Sequence, residues 1–228
     1  MAIVADLGRV RQRPRALSTL EDRLSVYRDD AATCVRCGDE ALLHRHADGR
    51  RAYPLFHAGA TCPRGVLIVA EAPNLTDTYD SDKGRLTVDA ETDPTGRFLR
   101  DLLASVGLQP DDVLFTNSVL CLPARRNGRH LVRARQLELC RAWLTRALAD
   151  VAPAVVVTLG AKALAAVGRV ERHGLQLKSG VGQLQPWRGT MLLPLYHHGA
   201  LGRISRPAAL QRQDIRAIQP ALREVGVA

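Results

Sequence analysis

Four short runs constrain this chain most: Val66-Leu67-Ile68-Val69, Val113 to Val119, Ala154 to Leu159 and Met191 to Leu195, each rich in apolar residues at successive positions. Strands buried on both faces read this way. Between the runs the spacing turns helical. Phe98, Leu99, Leu102, Leu103 and Val106 form one stripe, in a helix that starts near Thr95 and stops at Gly107. Leu137, Leu144 and Leu148 form another on a helix from about Ala134 to Val151; a short helix follows over Ala161 to Val167, and a last one after Pro207. Strands alternating with helices predict an α/β fold, a three-layer α/β/α arrangement around a central, mainly parallel, four-stranded sheet.

With 46% apolar residues in 228, the chain can fill a sizeable core, which excludes global disorder and collagen. No stretch approaches the roughly 18 consecutive apolar residues of a membrane span. The opening residues lack the apolar core and cleavage pattern of a secretory signal, so a cytoplasmic protein is expected. Residues 1–33 read as a basic arm, with Arg9, Arg11, Arg13 and Arg15, leading into a short helix from about Leu20 to Tyr27; residues 34–228 read as one domain. Asn74 to Pro94 lacks periodicity and is expected to be a long exposed loop.

Thirty-two Lys and Arg against 23 Asp and Glu give a net charge of +9, which favours a polyanionic partner such as nucleic acid. Only Lys83, Lys162 and Lys178 are lysines, an arginine bias that codon usage accounts for as readily as a need for bidentate phosphate contacts.

Glu71, Asn117, Gly160 and His197 each fall at or just beyond the carboxyl end of an expected strand. In open α/β sheets that edge binds the ligand, so these four positions are expected to converge. The five cysteines argue for metal or core rather than disulfides, because a chain of this length folds without staples and the cytosol keeps thiols reduced. Cys34 and Cys37 form a C-x-x-C, Cys121 and Cys140 follow at a distance, and Cys62, beside Pro63, is surplus to a set of four. Two local and two remote ligands suit an iron–sulfur cluster better than a zinc ribbon, with zinc as the second reading. Cys140 also falls on a helix with an apolar stripe, where plain core placement competes.

Four segments, in order, resemble the uracil-DNA glycosylase superfamily, and within it the branch that carries a four-cysteine iron–sulfur cluster. They are Ala70-Glu71-Ala72-Pro73-Asn74, Thr116-Asn117-Ser118-Val119-Leu120-Cys121-Leu122-Pro123, Thr158-Leu159-Gly160-Ala161 and Leu195-Tyr196-His197-His198-Gly199-Ala200-Leu201. The resemblance runs from about Cys34 to Arg206. It implies a monomeric, monofunctional DNA glycosylase of base-excision repair, which hydrolyses uracil or a related deaminated base from single- or double-stranded DNA without a catalytic metal. It also implies a [4Fe-4S] cluster of structural role on Cys34, Cys37, Cys121 and Cys140.

By the same resemblance Glu71 and His197 are catalytic. The breaking bond leaves a cationic sugar and an anionic base, which call for a carboxylate and a donor. Asn117 discriminates the base, with Ala72, Pro73 and Gly160 lining its pocket. Leu201 is the wedge that fills the gap left by the extruded nucleotide, and Arg203, Arg206, Arg125, Arg126 and Arg129 hold phosphates. The chain departs from the family pattern at Ala70 and Asn74, which replace glycines, and at His198, which replaces a proline. It also lacks the PFVG segment whose Phe stacks on the base. Tyr79 and Leu86 are the loop candidates for that surface, and Phe98 is expected to face the core. These departures are what a DNA-binding member of the same fold, with lost or altered activity, would carry. An electron carrier or zinc domain is the third reading.

Overall fold

The computed structural model describes residues 19–38, 41–42, 65–73 and 94–224. The basic arm before Thr19, Cys62, Asn74, Tyr79 and Leu86 lie outside them, as does the loop expected after Asn74 up to Pro94. In chain order the elements are helix α1 (Leu20–Ala32), strands β1 (Ala41–Leu42) and β2 (Val66–Ala70), helix α2 (Pro94–Ala104), and strands β3 (Val113–Asn117), β4 (Leu122–Pro123), β5 (Arg125–Arg126) and β6 (Arg129–His130). Then come α3 (Ala134–Val151), β7 (Val155–Leu159), α4 (Ala161–Val170), α5 (Leu177–Gly180), β8 (Gln185–Trp187), β9 (Thr190–Leu195), α6 (Ala200–Ser205), α7 (Ala208–Ile215) and α8 (Gln219–Glu224).

The main sheet runs β3-β2-β7-β9-β8, with the first four strands parallel and β8 antiparallel to β9. Alternate residues of each strand feed opposite layers. Leu67, Val69, Leu114 and Val156 pack with α1, α3 and α4, while Val66, Ile68, Phe115, Val157 and Leu193 pack with α2, α7 and α8. This two-sided burial is why the strands are apolar at successive positions. The expected three layers are present.

The sheet has five strands rather than four. Gln185–Trp187 is added at the edge through a turn with Arg188 at φ 50° and Gly189 at φ 69°. Pro186 is tolerated there because an edge strand leaves one side unbonded, and a three-residue run containing Pro carries no strand periodicity to read. A second short ladder also differs from expectation. The segment read as a loop after Cys121 forms the antiparallel hairpin β5–β6, closed by Asn127 (φ 48°) and Gly128 (φ 76°). Asn-Gly between two strands is the sequence signature of a two-residue type I′ turn.

Helix α1 opens with a capping box, in which the Asp22 N–H donates to Thr19 Oγ1 and the Thr19 N–H to the Asp22 carboxylate, both at 3.1 Å. It runs on to Ala32, further than its apolar spacing foretold, and buries Leu24, Tyr27 and Ala31 against α3. Arg146 on α3 ties the pair, reaching Asp30 at 2.6 Å and Asp150 at 3.3 Å with its guanidinium 5.6 Å from the Tyr27 ring. Among the described residues no helix is long and apolar enough to cross a membrane.

Leu67 is fully buried in β2, with a sheet neighbour on each side. Truncation to alanine is expected to cost about 2–5 kcal/mol, read as a lowered urea midpoint at unchanged slope.

Candidate active site and cysteine centre

Parallel pairing brings the carboxyl ends of four strands to one edge, so Asn117 (end of β3), Glu71 (after β2), Gly160 (after β7) and His197 (after β9) lie in a row along it. The first two are stitched together by backbone. Ser118 donates to the Ala70 carbonyl from both its N–H and its hydroxyl at 2.8 Å, and the Val119 N–H reaches the Glu71 carbonyl at 3.2 Å. The turn after β3 thus holds the backbone of Glu71 beside Asn117, and it ends the strand earlier than the apolar run suggested.

Asn117 is 2% exposed, and neither its amide nitrogen nor its amide oxygen has a hydrogen-bond partner. Leaving such a group unsatisfied costs about 1–3 kcal/mol, which a ligand bonded to the amide would offset. Glu71 is half-buried, and burial raises its pKa above the ordinary 4.5, with Lys162 in the first turn of α4 pulling the other way. Ala72 is half-buried against the core and Pro73 is buried.

The two adjacent histidines have different environments. His198 is 6% exposed, and burial, with smaller contributions from His197 and Arg203, pushes its pKa down to about 3, so it is neutral. His197 is half-buried and stacks on it, ring centroids 4.9 Å apart at 6°. The Gly199 N–H donates to His197 Nδ1 at 2.9 Å, which makes Nδ1 the acceptor and places the proton of the neutral ring on Nε2.

Two glycines make this placement possible. Gly160, at φ 91°, puts its N–H 2.7 Å from the Leu195 carbonyl, and a side chain there would meet His197 Cβ at 3.4 Å. At Gly202 an added Cβ would collide with the His197 carbonyl.

Leu201 on α6 is 80% exposed, and Ile204, one turn on, is 78% exposed. Arg203 and Arg206, read from sequence as phosphate contacts, are engaged within the chain. Arg203 donates to the His198 carbonyl at 2.9 Å and shares the Phe98 ring with Arg212, at 5.3 and 5.4 Å. Phe98 is buried in the core, as expected. Arg206 forks onto the buried Asp214 at 2.8 and 2.6 Å. Arg125, Arg126 and Arg129 sit on the β5–β6 hairpin, with Arg125 exposed. His130 Nδ1 donates to the Pro123 carbonyl at 2.6 Å and anchors the base of that hairpin.

Cys34, Cys37, Cys121 and Cys140 are thiols rather than disulfides; Cys34 is half-buried and the others are buried. They come from the loop after α1, the end of the β3–β4 connection and α3. A hydrogen bond links Cys140 to Cys37, and that bond together with burial drives the Cys140 pKa well above the thiol range. Burial, then the neighbouring Cys37 and Cys34, pushes Cys121 up to about 12. Among the described residues no three His, Cys, Asp or Glu side chains are drawn in as tightly as ligands of a single metal ion. Four soft thiols without a hard oxygen donor are nevertheless the donor type of an iron–sulfur cluster. Trp143 on α3 donates its indole N–H to Cys34 Sγ at 3.3 Å.

Sequence reasoning missed Gly202, Ile204 and Trp143. Ile204 was legible as a second apolar residue one turn from Leu201 on a short helix. The other two carry no local signal, since their partners are remote in sequence or lie in a backbone path that only folding creates.

The family description "Uracil DNA glycosylase superfamily" matches residues 56–222, a span that holds Glu71, Asn117, Gly160, His197, Cys121 and Cys140 but not Cys34 and Cys37. The type-4 uracil-DNA glycosylase of Archaeoglobus fulgidus is 35% identical to this chain over 95 residues, which is 42% of this chain and 43% of that relative. The chain therefore spans less than half the length of the curated relative that it matches.

Replacing Asn117 by leucine removes the unpartnered amide and keeps its branched shape. The variant is expected to be more stable than the parent by about 1–2 kcal/mol in urea unfolding; a loss of stability would show the amide to be satisfied.

Proposed function

Because the chain belongs to the uracil-DNA glycosylase superfamily, we propose that it hydrolyses the N-glycosidic bond of uracil, or of a related deaminated base, in a nucleotide rotated out of DNA. The observation that carries this reading is the buried, unpartnered amide of Asn117 on the ligand-binding edge of the sheet. Its NH₂ can donate to uracil O4 and its oxygen can accept from N3–H, a pattern that cytosine presents in reverse. Making those bonds offsets part of the few kcal/mol spent on unstacking the nucleotide.

Hydrolysis breaks the N1–C1′ bond and joins a water oxygen to C1′, with the water's proton passing in the end to the departing base. Glu71, as carboxylate, faces the developing sugar cation and orients or deprotonates that water. His197, with its proton on Nε2, donates to the uracil oxygen where negative charge gathers and so stabilises the leaving anion. Ala72, Pro73 and Gly160 line the base. The departure at Ala70 is mild, because this residue is ordinary strand backbone in β2 with no positive φ to strain its methyl group.

Leu201, with Ile204 behind it, enters the gap in the duplex. The hairpin arginines Arg125, Arg126 and Arg129 track the phosphates, while Arg203 and Arg206 brace α6 for insertion. Cys34, Cys37, Cys121 and Cys140 would hold a [4Fe-4S] cluster. Through these four residues such a group would supply a cross-link between the loop after α1, the β3–β4 turn and α3.

Base release from uracil-containing single- and double-stranded oligonucleotides tests the reading, with hypoxanthine, xanthine and thymine-mismatch substrates alongside. Glu71→Gln is expected to lose at least about 10²-fold in single-turnover rate. Absence of release by the parent protein on every substrate would favour a DNA-binding role without turnover.

The raised Glu71 pKa predicts that kcat/KM climbs with pH through a limb lying above 4.5, and that the glutamine variant lacks this limb. His198 contributes no limb near neutrality. In stability the sign reverses. The contribution of Glu71 is fully present below its unfolded pKa and is lost as pH rises through the folded one, so the variant should show a shallower decline over that window.

Neutralising Arg125, Arg126 and Arg129 together is expected to flatten the slope of log K against log salt by about one unit for each phosphate that these side chains cease to neutralise.

A further inference from the structure

The least buried of the four cysteines is Cys34, the thiol most open to water and oxidants. Its sulfur receives the indole N–H of Trp143 at 3.3 Å, although the two residues are 109 positions apart in the chain. Trp143 is 8% exposed, and an indole N–H can only donate, so at this depth it needs an acceptor. Two side chains contact the ring. Tyr27 of α1 packs edge-on at 5.6 Å and 83°, and the guanidinium of Arg36, inside the C-x-x-C loop itself, lies 5.7 Å from the ring centroid. Tyr27 is fully buried and itself neighbours Cys140. Packing against Tyr27 therefore fixes the indole between α1 and α3 and aims one donor at the sulfur that the fold covers least, while the exposed Arg36 only overlies the ring.

We propose that Trp143 is a positioning residue for the cysteine centre, protecting the bond between Cys34 and iron by donating its N–H to the sulfur. A hydrogen bond to a ligating thiolate withdraws charge from it, which makes the sulfur less reactive toward oxidants and raises the reduction potential of the group it holds. The same bond fixes the orientation of the Cys34 side chain in the loop. This inference rests on the iron–sulfur reading above and concerns a residue outside the ligand set.

The test uses the full chain, purified without air, as parent, Trp143→Phe and Arg36→Ala. Phenylalanine keeps an aromatic ring against Tyr27 and removes the donor. The arginine variant removes the exposed cation and leaves the N–H···S bond. Iron and sulfide per chain, far-UV circular dichroism, the decay of visible absorption in air-saturated buffer and the reduction potential are measured on each.

The expected result is equal iron content and equal circular dichroism in all three. Trp143→Phe should bleach about fivefold faster, the factor that one net hydrogen bond is worth, with a more negative potential. Arg36→Ala should follow the parent. Equal bleaching and an unchanged potential in an iron-loaded Trp143→Phe protein would overturn the role of Trp143 alone, as would equally fast bleaching of Arg36→Ala. A parent protein without iron would overturn both this inference and the iron–sulfur reading.

Discussion

Parallel pairing of β2 with β3 on one side and β7 on the other is the constraint from which the rest of the structure follows. Because neighbouring strands run the same way, their carboxyl ends share one edge, and the chain must cross the sheet through helices that cover both faces. The burial of Leu67 and Ile68 into opposite layers and the gathering of Glu71, Asn117, Gly160 and His197 along one rim are two results of the same pairing. A change of register at β2 would shift a core and a site together.

The rim combines a tightly bonded backbone with buried polar side-chain atoms left open, the Asn117 amide and His198 Nδ1. Ser118, Val119, Gly160 and Gly199 all place their N–H groups on carbonyl or imidazole acceptors, and the carbonyl of His197 lies so near Gly202 that no larger residue fits there. Within this stitched backbone the Asn117 amide is left without a partner. A rigid frame around an unsatisfied polar group is the arrangement expected where binding energy is to come from a ligand. Neutral His198, stacked beneath His197, extends that rigidity to the imidazole.

The cysteine centre and the basic hairpin are linked by covalent order. Cys121, the hairpin β5–β6 and the helix bearing Cys140 follow one another in the chain, so whatever clamps the two cysteines also holds the three hairpin arginines between them. The tertiary fold adds the loop with Cys34 and Cys37 through the N–H that Trp143, packed on Tyr27, donates to Cys34.

Local periodicity was enough to determine the four parallel strands, the α3 boundaries at Ala134 and Val151, and the placement of Glu71, Asn117, Gly160 and His197 at strand ends, because burial on two faces and helical spacing leave their mark on neighbouring residues. The order of motifs and cysteines carried the family. The edge strand at Gln185–Trp187 lacked that mark, and the Asn127-Gly128 turn bore one that periodicity alone does not register. Only the tertiary structure separated His197 from His198, since burial and the Gly199 N–H distinguish them and composition does not. It alone turned Arg203 and Arg206 inward, onto a carbonyl and a carboxylate, and set Trp143 against Cys34. The direction a side chain takes depends on partners brought near by folding, and distance along the chain does not encode them.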